Sequence, residues 1–370
     1  MCSGNALYWM EILSVKGIGM GRWLSLGEAV DPARIVSMLR SAGGRAELGR
    51  MIGGEVGPPD AESLALARAF VEKRGCGAIC IGDPSYPALL AEIPMPPPIL
   101  FFRGDASVLA TPAVCVVGSR RAARRGLLAA KRIGGDLAGA GFLVVSGMAR
   151  GIDSMAHVGA MAAGGKTAAV LGCGVDVPYP PENLSLSVEI SASGCVVSEF
   201  PPGTPPLRHN FPRRNRILSG LSLGVVVVEA DLDSGAMGTA AWAADHGREV
   251  FAVPGPVEHP GSRGPHRLIR EWACLVESAS DIMEGLPRQG ILPLTREDSS
   301  GPVERGNRAE RALSDGEREV LAALGADPKH VDELVRICHI SATSILPVLL
   351  SLEMKGLAES CGGGMFALAG

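Results

Sequence analysis

Between about residue 99 and residue 285, short apolar runs alternate with segments of helical length, and this alternation restricts the fold more than anything else in the chain. The runs are 113–117 (AVCVV), 142–146 (FLVVS), 167–171 (TAAVL), 195–198 (CVVS), 225–230 (VVVVEA) and 249–253 (EVFAV). Each is apolar on successive positions, so each expects burial on both faces. Strands of that kind, separated by helices, predict an α/β fold: a Rossmann-like parallel sheet covered on both sides. Sheets of this type take ligands beyond the carboxyl ends of their strands, which directs attention to the residues just after each run.

The flanks read differently. Residues 1–82 predict a small helical N-terminal module, with helical spacing over 64–74 (LALARAFVEKR). In 15–26 (VKGIGMGRWLSL), the GIG either offers backbone amides to a phosphate or simply turns the chain between two helices. The core is set at 83–286, opening on a proline-rich stretch, 83–98, expected to be extended. The polar segment 287–312 reads as a linker. In 313–370, helical patterns at 315–324, 331–338 and 341–355 precede two short arms about a glycine turn, a winged-helix-like C-terminal module, with Pro347 inside the third helix as the discordant residue.

Apolar residues make up 46% of the 370, enough for compact cores, while apolar runs such as 221–228 and 167–175 stop well short of the roughly 18 apolar residues that span a bilayer. The N-terminus lacks a secretion signal, so the expected setting is cytoplasmic, away from membranes. Nine cysteines lie scattered without a CxxC pair and read as buried thiols, and neither metal nor cofactor is expected. The net charge of −4 gives no general reason to bind nucleic acid. Its distribution does: residues 120–150 hold seven basic side chains against Asp136 alone, and 208–216 hold four arginines and no acid.

The motifs after the runs follow from this. The first run leads through Gly118, Ser119 and Arg120 into a helix-like basic segment, where free amides and a positive dipole end would suit a phosphate. The second run ends in Ser146, Gly147, Arg150 and Gly151, repeating the device with glycines that permit close backbone approach. The segment 211–220 (FPRRNRILSG) sets Arg213, Arg214 and Arg216 around Asn215 behind an aromatic head. Guanidinium forks there would grip phosphate, or would tie the segment to Glu199 or Glu229. Ser234 and Gly235 open another helix and would donate to a phosphate, unless Ser234 is only a helix cap. His157 follows Asp153 by four residues, expected as a hydrogen-bonded pair that is either structural or fit for acid–base work. AGGKT at 163–167 fails as a P-loop, because Ala160 stands where the first glycine belongs, and GIGMGR at 17–22 fails as a dinucleotide fingerprint at Arg22.

Taken in order, VVGSR, SGMARGIDSMAH, GKTAAVLGCGVDVPYP, VVSEFPPG, FPRRNRILSGLS, VEADLDSGAMGTAAWA and VPGP resemble the DNA processing protein A family, DprA or Smf, over most of residues 84–285. The resemblance implies a Rossmann-like core that binds single-stranded DNA and helps load the RecA recombinase on DNA taken up in natural transformation. It also implies a homodimer formed through that core, and no catalytic activity. It places DNA contacts at Ser119, Arg120, Ser146, Gly147, Arg150, Lys166, Arg214, Asn215 and Arg216. His266 and Trp272 depart from the family pattern, which carries Asn and Gly there. Two other readings stand beside this one: an enzyme of nucleotide or phosphoribosyl chemistry working through Asp153, His157 or Glu199, and a regulator using the C-terminal module on duplex DNA. The third helix of that module offers only Lys355 as a cation.

Overall fold

The structure is a computed structural model that describes residues 4–16, 18, 22–23, 26, 30–177, 179–287, 315–324, 329–338, 345, 347–349, 351–352, 358–362 and 365–368. The GIG turn at 17–19 and the expected linker at 287–312 lie almost wholly outside them. The chain divides into two compact units, 1–294 and 295–370.

In the first unit the strands are β1 (Cys76–Cys80), β2 (Ile99–Gly104), β3 (Ala113–Val117), β4 (Leu143–Ser146), β5 (Thr167–Val170), β6 (Cys195–Ser198), β7 (Gly224–Val227), β8 (Glu249–Ala252) and β9 (Cys274–Leu275). They form one sheet in the order β1-β2-β6-β5-β4-β3-β7-β8-β9. From β6 to β9 every pairing is parallel, and β1–β2 and β2–β6 are antiparallel. The six runs read from the sequence are the six parallel strands β3 to β8, which confirms the α/β layer.

Alternation along the strands explains the layers. Val114 and Val116 face one side, packed with Ala130, Ile133, Ile152 and Ala156, whereas Cys115 and Val117 face the other with Ile217, Leu218, Ala236 and Ala240. The first set comes from α5 (Arg124–Gly139) and α6 (Ile152–Ala162), and the second from α8 (Asn210–Gly220) and α9 (Gly235–Asp245). Helix α7 (Leu184–Ser193) covers β5 and β6. Toward the other end of the sheet, α10 (Arg263–Glu271) packs against β8, and α11 (Ala279–Gly285) sets Ile282 in one cluster with Phe251 of β8; Ser278 and Asp281 form a reciprocal capping box at the start of α11.

The N-terminal helices are α1 (Gly4–Leu13), α2 (Pro32–Leu39), α3 (Ala42–Ile52) and α4 (Ala61–Val71); Asp31, Ser41 and Asp60 cap the last three. Trp9, Met10, Ile12, Ile35, Leu39 and Phe70 share one apolar cluster with Ala78, Phe101, Ala169 and Val196 of the sheet. Two local expectations are corrected here. Helix was expected as far as residue 82, but Cys76–Cys80 pairs with β2, because β2 presents an otherwise open edge. Residues 83–98 were expected to be wholly extended, but Ala88–Ala91 makes one helical turn that buries Leu90. Cys80, Cys115, Cys173, Cys195 and Cys338 are buried thiols, as anticipated, whereas Cys274 is exposed. No helix among the described residues is long and apolar enough to cross a membrane.

In the second unit, α12 (Asp315–Ala323) and α13 (Val331–Cys338) pack Val320 and Leu334 with Ile345, Leu349 and Leu352, which lie in helical backbone around Pro347. The hairpin β11 (Ala358–Gly362) and β12 (Met365–Leu368) joins β10 (Lys329–His330) in a three-stranded sheet. Helices followed by this small sheet are the winged-helix arrangement expected of the region.

Candidate nucleic-acid interface

The carboxyl ends of the parallel strands open into a cleft of about 850 Å³, lined by Gly118, Ser119, Arg120, Arg121, Arg208, Phe211, Arg214, Asn215, Ser234 and Gly235 among others. A narrower recess of about 80 Å³ adjoins it between Arg120, Gly147, Arg150, Tyr179, Phe211 and Arg214. Tyr179 and Phe211 stand with ring centroids 5.3 Å apart, and the Arg120 guanidinium lies 5.6 Å from the Phe211 ring centre. Both contacts are attractive geometries that hold a flat apolar surface beside a charged one. Arg120, Arg121, Arg150 and Arg208 are exposed, with Arg150 paired to Glu182.

The expected residues divide sharply. Gly118, Ser119, Arg120, Gly147, Arg150, Arg214, Asn215, Ser234 and Gly235 line the cleft or its recess, and Gly151 lines a neighbouring hollow. Ser146, Lys166, Arg213 and Arg216 line none of them. The Ser146 hydroxyl is fully buried and donates to the Val116 carbonyl at 2.6 Å, bracing two strands. Lys166 precedes β5 at its amino end, so about 13 Å of strand separates it from the carboxyl edge where the cleft lies. The structure therefore does not bring Lys166 to the cleft with the other residues expected to contact DNA.

The arginine-rich segment lies in helix α8, buried continuously from Arg214 to Gly220, and the expectation that Arg213 and Arg216 face DNA is corrected. Arg216 donates to Glu199 Oε2 at 2.7 Å and Arg213 to the same oxygen at 3.2 Å, with the Glu199 side chain fully buried. These two cations neutralise an internal carboxylate, the tie to Glu199 that the sequence leaves open beside phosphate binding. Arg214 donates to the carbonyls of Gly147, at 3.0 Å, and Val170. Burial pulls its pKa down against the opposing field of Asp153. Asn215 donates to the Gly235 carbonyl at 3.1 Å, and Ser234 caps α9 by accepting from Ala236 N at 3.3 Å.

The helix amino ends are not free for phosphate. Glu229 Oε2 accepts from Ala123 N at 2.9 Å at the start of α5, and Asp153 Oδ2 accepts from Ala149 N at 3.3 Å ahead of α6. Each carboxylate occupies the positive dipole end that a phosphate would otherwise seek. The glycines serve the fold likewise. A Cβ at Gly147 would stand 2.6 Å from the Arg214 guanidinium, and Gly151, at φ +80°, holds its Cα close enough that a Cβ would meet Ser119 O at 2.3 Å. What remains for an outside anion is side-chain charge at the rim, chiefly Arg120, Arg121 and Arg208. The last two, with Tyr179 and Phe211, were missed as site residues. For the two rings the available signal was an aromatic directly before a proline beyond a strand's carboxyl end, at 179–180 and 211–212, in a chain with only 4% aromatics.

His157 and Asp153 do not form the expected pair. His157 Nδ1 bonds to Thr167 Oγ1 at 2.6 Å, and burial depresses the ring to about 3. Burial raises Asp153 to about 6.

The profile of the family described as DNA recombination-mediator protein A matches residues 77–287, more than half of the chain. The chain belongs to that family. The DprA winged helix domain matches residues 304–364. Smf of Escherichia coli K12 is 39% identical over 310 residues, spanning 83% of this chain and 81% of that protein. A putative DNA processing protein DprA of Mycobacterium tuberculosis is 35% identical over 362 residues, 91% of each chain. Among solved structures, DNA processing protein A of Streptococcus pneumoniae superposes with a TM-score of 0.65 at 34% identity, covering 78% of this chain and 99% of that one. DNA processing protein A of Helicobacter pylori, described for a unique single-stranded DNA binding mode, superposes with a TM-score of 0.52 at 27% identity, covering 56% of this chain and 94% of that one. Of the two departures from the DprA pattern, His266 bonds through Nε2 to the Gly255 carbonyl at 2.9 Å, while Trp272 is half exposed.

Proposed function

We propose that the chain is a non-enzymatic binder of single-stranded DNA in recombination or natural transformation, gripping the strand at the carboxyl rim of the sheet and presenting it to the RecA recombinase in the cytoplasm. The observation that carries this is the cleft itself, where exposed arginines stand over a Tyr179–Phe211 surface. Cations track phosphates, and the aromatic pair offers a face to a base with little sequence preference. The Helicobacter relative supports the choice of single strands. An enzyme reading has less to draw on, since His157 and Glu199 are fully buried and committed to Thr167 and to arginines.

Fluorescence anisotropy with single- and double-stranded oligonucleotides tests the proposal. If about four cations contact phosphates, affinity for single strands falls roughly 50-fold between about 50 and 200 mM salt. Arg120→Ala lowers it by about 10-fold or more, the usual worth of a charge-assisted contact. Equal affinity for duplex, or an Arg120→Ala protein that binds like wild type, would count against it.

A homodimer through the core is part of the same proposal. Leu232, Pro254, Val257, Ile269 and Leu275 line an apolar hollow beside edge strand β9, with Val257 80% exposed. An exposed edge with apolar neighbours suits a second copy of itself. Val257→Asp, which costs the fold little at so open a position, is expected to shift the light-scattering mass from dimer to monomer; an unchanged mass would refute this face.

A further inference from the structure

The outer face of α5 carries more charge than the fold and the cleft use. Arg124, Arg125, Leu128, Lys131 and Arg132 are exposed, and at 100° per residue they form one stripe on the side away from the sheet. Arg125 leans toward Glu229, 3.9 Å away, and Arg132 donates to the Glu277 carbonyl at 2.7 Å. The side chains of Arg124 and Lys131, which lie together along one margin of the stripe, have no hydrogen-bond or ion-pair partner among the described residues, and neither does the Arg121 guanidinium just before the helix. The first turn of α5 holds two arginines and no acid of its own, against the sign its dipole favours, and within the helix the only acid is Asp136, beyond the end of the stripe. A helix that breaks the local rule without a folding gain marks a surface kept for something else.

The stripe is continuous with the cleft. Arg120 and Arg121 line both the cleft and a second hollow of about 330 Å³, whose other walls include Leu127, Arg150, Gly151 and Met155 at the start of α5 and α6, and Asn183 ahead of α7. We infer that a single strand leaving the cleft crosses Arg120 and Arg121 through this hollow and continues along α5, with Arg124 and Lys131 contacting phosphates beyond the cleft. The inference rests on the proposed binding of single-stranded DNA. The stripe from Arg124 to Arg132 is about 12 Å long at 1.5 Å per residue, which accommodates about two or three further phosphates.

Oligothymidylates short enough to fill only the cleft, and others about three times as long, separate the two sites. The full-length protein and an Arg124→Ser, Lys131→Ser double variant would be titrated with both, at two salt concentrations. The variant is expected to bind the short oligomer within about twofold of wild type but to lose about tenfold on the long one, with a salt slope shallower by roughly 1.4 for two lost phosphate contacts. Equal losses on both lengths would show a general field effect and overturn the inference, as would no loss on either. Failure of the wild type to bind the short oligomer at all would instead overturn the cleft proposal, and the two failures are distinct. Circular dichroism spectra of the variant, at such exposed positions, are expected to match wild type.

Discussion

Replacing Arg216 with alanine is expected to destabilise the first unit by about 3–5 kcal/mol, the usual cost of removing one partner from a buried ion pair. Glu199 is fully shielded and Arg216 only 4% exposed, so the carboxylate left behind would have only the half-buried Arg213, at 3.2 Å, to offset it. For a unit of this size that loss lowers Tm by roughly 10 °C or more. Arg213→Ala removes a cation that is 34% exposed and is expected to cost about 1 kcal/mol or less. The pair is also imperfectly satisfied, since Glu199 Oε1 and Arg216 Nη1 are buried without partners. A Glu199→Leu, Arg216→Met double variant therefore recovers most of the loss, because well-packed apolar groups remove both desolvation costs. Thermal melts of the four proteins decide the matter, and a mild Arg216→Ala phenotype with a large fall in DNA affinity would instead return Arg216 to the binding surface.

That experiment bears on why the sequence discloses some of this protein and conceals the rest. Strands β3 to β8 are legible because burial on both faces leaves an unbroken apolar run with nothing else to resemble. β1 is not, since Cys76–Cys80 is built of small residues at the end of a helical region, and only pairing with β2 makes it a strand. Ser119 and Arg120 are legible because the residue after a parallel strand stands at the rim by geometry alone. Lys166 shows the limit of carrying a contact over by resemblance: it directly precedes the 167–171 run, which already puts it at the amino end of β5, away from the rim. Arg213 and Arg216 show another, for charge density along the chain leaves phosphate and an internal carboxylate both open, and only the fold, by bringing Glu199 from the end of β6, decides between them. Tyr179 and Phe211 lie 32 residues apart, and only the fold brings their rings to 5.3 Å.

The second large effect concerns acid. Burial lifts Asp153 to about 6 in the folded chain and, together with the Arg214 charge, depresses His157 to about 3. In the unfolded chain the two groups titrate near 3.9 and 6.5. As pH falls from 6.5, the unfolded chain takes up a proton on His157 that the folded chain refuses, so stability is lost at about 1.4 kcal/mol per pH unit. Below about 6 the folded chain takes up a proton on Asp153 that the unfolded chain does not yet bind, and stability is regained at the same rate. The two slopes cancel between about pH 6 and pH 4, and this part of the core is nearly indifferent to acid there. Asp153→Asn removes the compensating proton while keeping an oxygen to accept from Ala149 N. The variant is therefore expected to lose about 2 kcal/mol more than wild type on going from pH 7.5 to 4.5, and urea midpoints across that range measure it. Adding His157→Gln to the variant removes the remaining slope, because no proton is then exchanged between the two states at either position. Parallel pH profiles for wild type and Asp153→Asn would mean that the carboxyl group stays ionised in the core, held so by Arg214.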